Sequence, residues 1–151
     1  MRCHLPASDL CMNQPGKIKL FGAVCFRLGI IGVGLFGVGL AIYLSLKPSP
    51  SMNAVRWLPR FITAWADRHG QSDNFVAYSM LSIPFLMVAP GRLERACVTT
   101  SLAILVAAME IIQIWIPTRV ADEWDIFWGW SGLLASWAAF EVMHLMLRGF
   151  K

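Results

Sequence analysis

The sequence predicts an all-α fold, a polytopic membrane protein built as a bundle of four transmembrane helices with an interfacial amphipathic helix after the first. Three observations predict it. Of 151 residues, 57% are hydrophobic and only 15% charged, where a soluble domain runs at about 45–50% and about 25%. The apolar residues gather into four runs of roughly the length a helix needs to cross a bilayer. Four spans of about 20 residues each would use roughly 80 residues, so the loops are short and no separate soluble domain fits. This balance excludes a disordered chain and argues against an ordinary soluble enzyme.

Residues 1–19 are polar and mixed, a tail that ends in Lys17 and Lys19; Met12 offers an alternative translation start. The membrane domain spans 20–147, with helices at about 21–46, 73–89, 95–116 and 124–147, followed by a short tail at 148–151. The first apolar run is too long for a signal-peptide core and lacks a small-residue cleavage site, so it is expected to remain as a signal anchor. Arg27 near its start can snorkel to the interface, and Pro48 and Pro50 end it. Within it, Gly32-Val33-Gly34-Leu35-Phe36-Gly37 matches a GxGxxG string. A dinucleotide site needs that string between a strand and a helix, with an acid about 20 residues on. Trp57 stands there instead, and small residues such as Gly37 and Ala41 suit close helix packing.

In residues 53–68, Trp57, Phe61 and Trp65 recur at four-residue intervals among Arg56, Arg60 and Arg68. This pattern predicts a helix lying in the interface; the alternative is a loop with aromatic anchors. The second span is short, with Ser72 or Asp73 as its N-cap, a kink at Pro84 and an end at Pro90-Gly91. A re-entrant segment is the alternative here. The link Pro117–Glu123 is so short that the third and fourth spans form an antiparallel pair.

Four spans place both tails and the second loop on one side, with seven basic residues (Arg2, Lys17, Lys19, Arg92, Arg95, Arg148, Lys151). Five face the other side: Lys47, Arg56, Arg60, Arg68 and Arg119. The positive-inside rule therefore puts both termini in the cytoplasm. Trp57, Trp65, Trp115, Trp124, Trp128 and Trp130 then form an aromatic belt at the outer interface. The net charge is +4, but the basic residues are scattered beside apolar runs. Contact with the lipid bilayer explains them, and no nucleic-acid partner is expected. Cys3, Cys11, Cys25 and Cys97 have no paired spacing, and adding His4 does not complete a zinc set. No metal and no cofactor are expected.

Glu110 is the most informative residue. An acid inside a span costs about 2.5–3.5 kcal/mol, which the Ile, Leu and Val residues of the third span offset at roughly 0.3–0.6 kcal/mol each. The span inserts, but the carboxyl must face protein or water. Gln113 follows one turn on, then Pro117 and Arg119, the latter within reach of Glu110 or Asp125. Asp125, Gly129 and Gly132 share one face of the fourth span, the acid near a helix N-terminus and the glycines smoothing a packing surface. Asp122 and Glu123 are expected to cap that helix. Glu110, Gln113, Arg119 and Asp125 should converge near the outer leaflet, and intramembrane ionisable groups are functional candidates. The structural alternative is a polar network that locks the helical hairpin. Glu141 and His144, near the other end of the fourth span, are expected to face headgroups.

The stretch Glu110-Ile-Ile-Gln113-Ile-Trp-Ile-Pro117-Thr118-Arg119, followed by Asp125 and Gly132, resembles the VanZ-like family of small bacterial integral membrane proteins. It is similar to that family's E-x-x-Q, P-x-R and D-x-x-N-x-x-G pattern. Leu44-Ser45-Leu46-Lys47-Pro48 resembles its S-x-x-P exit from the first span, and Asn74–Tyr78 its second-span start. The likeness covers about residues 40–135. Gly129 replaces the family's Asn, and Gly70, Gln71 and Asn74 stand where D-K-x-x-H is expected. The resemblance implies a role in the bacterial cell envelope, in the cytoplasmic membrane, and names no reaction.

Two functions fit these residues. One is a non-enzymatic binder of a lipid-linked or glycan envelope component, with Arg119 holding a phosphate or carboxylate. The other is a membrane-embedded enzyme acting on a lipid-linked envelope substrate, with Glu110 and Asp125 as general acid and base. Small-residue faces on the first and fourth spans also allow a homo-oligomer or an envelope-assembly partner.

Overall fold

A computed structural model of the chain describes residues 15–49, 51–119 and 121–149, apart from the side chains of 15–20 and Gln71. The expectations for Cys3, His4, Cys11 and Met12 concern residues outside that range. Five α-helices and one short 3-10 helix make up the described residues, with no strand among them. The helices are α1 (Pro15–Leu46), α2 (Arg60–Arg68), α3 (Gly70–Val88), α4 (Arg92–Gln113) and α5 (Glu123–Gly149), and the 3-10 helix is Met52–Ala54. The all-α class is therefore observed. Phe21–Leu46 and α4 are long and apolar enough to cross a membrane.

Local chemistry explains where the helices stop and start. Pro48 removes the donor that would continue α1. The helix expected across 53–68 forms only from Arg60, because Pro59 precedes it as a non-helical cap; Arg56 and Trp57 lie in a turn. His69 closes α2, its N–H donating to Trp65 and Ala66, and its carbonyl accepts from Ser72 and Asp73. That shared corner starts α3 at Gly70, so the expectation of Ser72 or Asp73 as N-cap is corrected: Asp73 sits in the first turn. The helix continues through Pro84 to Val88.

Helix α3 is the hub, packing along α5 and against α1, with α4 on α5. Tyr78, Leu81, Leu102, Val106 and Leu133 form the buried core, flanked by Val38, Ala41 and Phe85. The α3–α5 seam is close because Gly132 has no side chain: a Cβ there would overlap the Phe75 carbonyl. Hydroxyls bridge the same seam. Ser79 Oγ donates to the Gly132 carbonyl, and Ser136 Oγ lies 3.1 Å from the carbonyls of Ser79 and Gly132. Gly34 and Gly37 of the GxGxxG string admit Phe85 and Leu81 of α3, whereas nothing lies near Gly32. The string serves helix packing. Large apolar side chains such as Phe21, Phe36, Ile104 and Leu145 face away from the protein, an apolar surface that soluble monomers avoid.

Replacing Gly132 with Ala presses a methyl onto rigid backbone and should destabilise the fold by about 1–3 kcal/mol. Gly39→Ala, with open space around it, should be neutral or stabilising by about 0.5–1 kcal/mol. Unfolding of both variants in mild detergent checks the contrast; equal stability would mean that the seam relaxes freely.

Candidate functional site

The site begins with unsatisfied backbone. The last carbonyls of a helix have no intrahelical donors, and in α1 the residue that would donate to Leu44 O is Pro48. Arg119 supplies what proline lacks: its Nη2 donates to Leu44 O at 2.8 Å and its Nε to Lys47 O at 3.2 Å. Gln113 Nε2 donates to Ser45 O at 3.1 Å, and Thr118 Oγ1 to Pro48 O at 2.6 Å. Three residues at the end of α4 and in the following loop thus cap α1. A cation at a helix C-terminus also complements the helix dipole. Arg119 lies within charge range of Glu110 and Asp125, as expected, but its hydrogen bonds go to the α1 carbonyls. The carbonyls take the side edge of the guanidinium, formed by Nε and Nη2, and its end edge has no further partner among the described residues.

Glu110 is buried near the end of α4, and its Oε2 accepts the Asp122 N–H at 3.3 Å. Asp122 in turn caps α5, its Oδ1 accepting the Trp124 N–H at 2.9 Å. Glu110, Arg119, Asp122 and Asp125 lie close enough for their charges to act on one another. Asn74 faces Asp125 from α3. Tyr78, buried one turn further along, has its hydroxyl beside Ser45 and within the field of Glu110, Asp125 and Asp73. Its ring lies against Gly129 together with Val106.

The four residues singled out by sequence are therefore gathered at one end of the bundle, Gln113 and Arg119 on the α1 exit and Glu110 and Asp125 beside them. Sequence reasoning missed Asp73, whose Oδ1 is buried without a hydrogen-bond partner among the described residues. Its position before an apolar run suggests a cap, a role that would use its oxygens. Tyr78 was also missed, since an aromatic in an apolar helix gives no signal of its own. The arrangement can present a guanidinium edge to an oxyanion, and it offers carboxyls for proton transfer. Among the described residues no group of three or more His, Cys, Asp or Glu could hold a metal.

A second polar clamp borders the site. Asp67 of α2 accepts from the N–H groups of Met52 and Asn53, from Asn53 Nδ2 at 2.6 Å and from Ser51 Oγ at 2.8 Å. Desolvation works against its charge, but those donors and the Lys47 charge outweigh it and hold the carboxyl below its usual 3.8. Lys47 is itself buried, its Nζ donating to Ser49 O and Ser51 O at 2.6 Å. Burial, reinforced by the Arg119 charge and opposed by Asp67, lowers its pKa. The outward-facing Trp57, Phe61 and Trp65 flank this clamp.

At the far end of the bundle, Glu141 is paired with a basic side chain of α4. Arg95 Nε donates to its Oε1 at 2.9 Å. Arg95 lies on the buried stripe of α4, with Thr99, Leu102, Val106, Met109 and Gln113, and a guanidinium there requires an acid partner.

Comparisons with protein-family models, curated proteins and solved structures find no match to this chain.

Removing the cap should cost stability. Arg119→Ala leaves two carbonyls without donors and is expected to lower the unfolding free energy in detergent by about 2–3 kcal/mol. Arg119→Lys should recover only part of that, since an ammonium lacks the planar fork. An alanine variant as stable as the parent would show that water caps α1 equally well.

Asp67 gives a pH test. A carboxyl depressed in the folded state stabilises the fold above its unfolded pKa and loses that contribution as pH falls through the lower folded value. Hydrogen-exchange protection of the Met52 and Asn53 amides should therefore persist from about pH 6 to near 4 and fall below it. In Asp67→Asn the protection should be weak and should show no such step.

Proposed function

We propose that this chain is a VanZ-like integral membrane protein of the bacterial cell envelope, crossing the cytoplasmic membrane four times with both termini inside. In this reading it binds the phosphate or carboxylate of a lipid-linked or glycan component at the outer leaflet. The observation that carries the binding reading is the end edge of Arg119, partly exposed, without a partner among the described residues, and anchored through its other edge to Leu44 O and Lys47 O. A guanidinium fixed in this way is preorganised for two parallel hydrogen bonds to an oxyanion. Four crossings are supported by helix length: about 33 Å for α4, 40 Å for α5 and 28 Å for α3, at 1.5 Å per residue. The outward aromatics Trp57, Trp65, Trp115 and Trp124 sit at the same end as Arg119, as an interface belt would.

One observation favours a second reading, a membrane-embedded enzyme acting on a lipid-linked envelope substrate. Carboxyls from three helices, Asp73, Glu110 and Asp125, all lie near enough for their charges to act on the Tyr78 hydroxyl. In that case Glu110 and Asp125 would exchange a proton with substrate.

Sidedness tests the frame. Ala121 is exposed, whereas Thr118 is engaged at Pro48, so Ala121→Cys in a chain freed of its native cysteines is the better reporter. Labelling of intact cells by a membrane-impermeant maleimide is expected. Labelling only after lysis would invert the topology and end the envelope-binding reading. Glu110→Gln keeps an acceptor for the Asp122 N–H but carries no proton. Binding of a polyprenyl diphosphate in nanodiscs should survive this change; turnover abolished at undiminished binding would select the enzyme.

A further inference from the structure

The other end of the bundle carries a second polar feature that the proposed function does not use. Between the start of α4 and the end of α5 lies a cleft of about 220 Å³ lined by Arg92, Arg95, Glu141, His144, Leu145 and Arg148. Three guanidiniums against one carboxylate leave it a net +2 before His144 is counted. Its geometry is built. Arg95 is 3% exposed, fixed by Nε on Glu141 at 2.9 Å and by Nη1 on the Ala89 carbonyl at 3.4 Å. Its Nη2 group has no partner among the described residues. Arg92 is held with its guanidinium carbon 6.0 Å from the centre of the Trp137 ring, within cation–π range. Glu94 is folded back beside Gly91 and does not line the cleft.

We propose that this cleft binds the phosphate headgroup of an anionic phospholipid. Guanidinium forks suit phosphate oxygens, and His144 adds a ring N–H. The surroundings select a lipid over a free anion: Leu145 lines the cleft, and Leu93, Met146 and Leu147 beside it are more than half exposed, an apolar wall on which acyl chains can lie. Basic pockets between membrane helices are built to take such headgroups. Glu141 holds Arg95 in place and keeps the cleft from closing on a lone buried charge.

The test uses the full chain purified in neutral detergent, titrated with phosphatidylglycerol, phosphatidylcholine or inorganic phosphate and followed by native mass spectrometry and thermal shift. Phosphatidylglycerol should bind and stabilise, while phosphatidylcholine and an equal concentration of phosphate should not. Arg92→Gln/Arg148→Gln should weaken phosphatidylglycerol binding about 30-fold, roughly five-fold per arginine. Arg92→Lys/Arg148→Lys, which keeps the charge, should bind within a few-fold of the parent. Arg56→Gln/Arg60→Gln, at the opposite end, should bind as the parent does. Equal stabilisation by inorganic phosphate would make the ligand a free anion and overturn the lipid assignment. Equal loss in the Arg56/Arg60 variant would reduce the effect to net charge and remove the site. If the glutamine variant does not fold, the lysine variant and the three-ligand titration of the parent decide the outcome.

Discussion

The structure depends on a shortage of hydrogen-bond donors at the end of α1. In a low-dielectric setting an unpaired carbonyl costs several kcal/mol, and Pro48 ensures that the chain cannot satisfy Leu44 from its own backbone. The donors have to come from elsewhere, and Arg119, Gln113 and Thr118 supply them. This one requirement fixes the position of the α4–α5 link against α1. The link in turn brings the Asp122 N–H to Glu110 and the first turn of α5 towards Asn74 and Asp73. The sequence pattern E-x-x-Q followed by P-x-R is, physically, a helix cap delivered in trans by a neighbouring hairpin.

The rest of the bundle is held in two other ways. Its middle is pressed together by the absence of side chains at Gly132, Gly129, Gly37 and Gly34, with serine hydroxyls satisfying carbonyls across the α3–α5 seam. Its far end is latched by the Arg95–Glu141 pair. Close backbone approach and hydrogen bonds across the seam are the interactions that hold helices together wherever apolar surroundings weaken the hydrophobic drive between them. The ion pair ties α4 to α5, and a slip by one turn would leave the buried Arg95 guanidinium without its acid.

Helix type and approximate extent were legible because apolar runs of membrane length admit few alternatives. The gathering of Glu110, Gln113, Arg119 and Asp125 was legible from their spacing on two antiparallel helices. Their partners were not. Sequence places Arg119 near two carboxylates and so suggests an ion pair; that Leu44 O lacks a donor emerges only when Pro48 is read as a missing N–H. Arg95 could have been found, since it continues the stripe of Thr99, Leu102, Val106, Met109 and Gln113 with the same spacing, and Glu141 is the only acid late in α5. Asp73 was hidden by its own plausibility as a cap, and the short α2 by the amphipathic pattern that runs through Pro59.

Arg119 and Arg95 solve opposite halves of one problem. Each guanidinium spends some of its donors on protein, Arg119 on carbonyls and Arg95 on a carboxylate and a carbonyl, and each keeps donors over. An arginine held this way loses little entropy when an oxyanion arrives. The same hydrogen bonds that hold the guanidinium also hold the fold, so a ligand that binds the remaining edge also stabilises the helix end that positions it. An oxyanion bound at either end of the bundle would therefore couple binding to stability. The anchors differ in kind: Arg119 is hydrogen-bonded to neutral carbonyls, with the carboxylates of Glu110 and Asp125 within charge range, whereas Arg95 is hydrogen-bonded directly to the carboxylate of Glu141, with Arg92 and Arg148 as neighbouring cations.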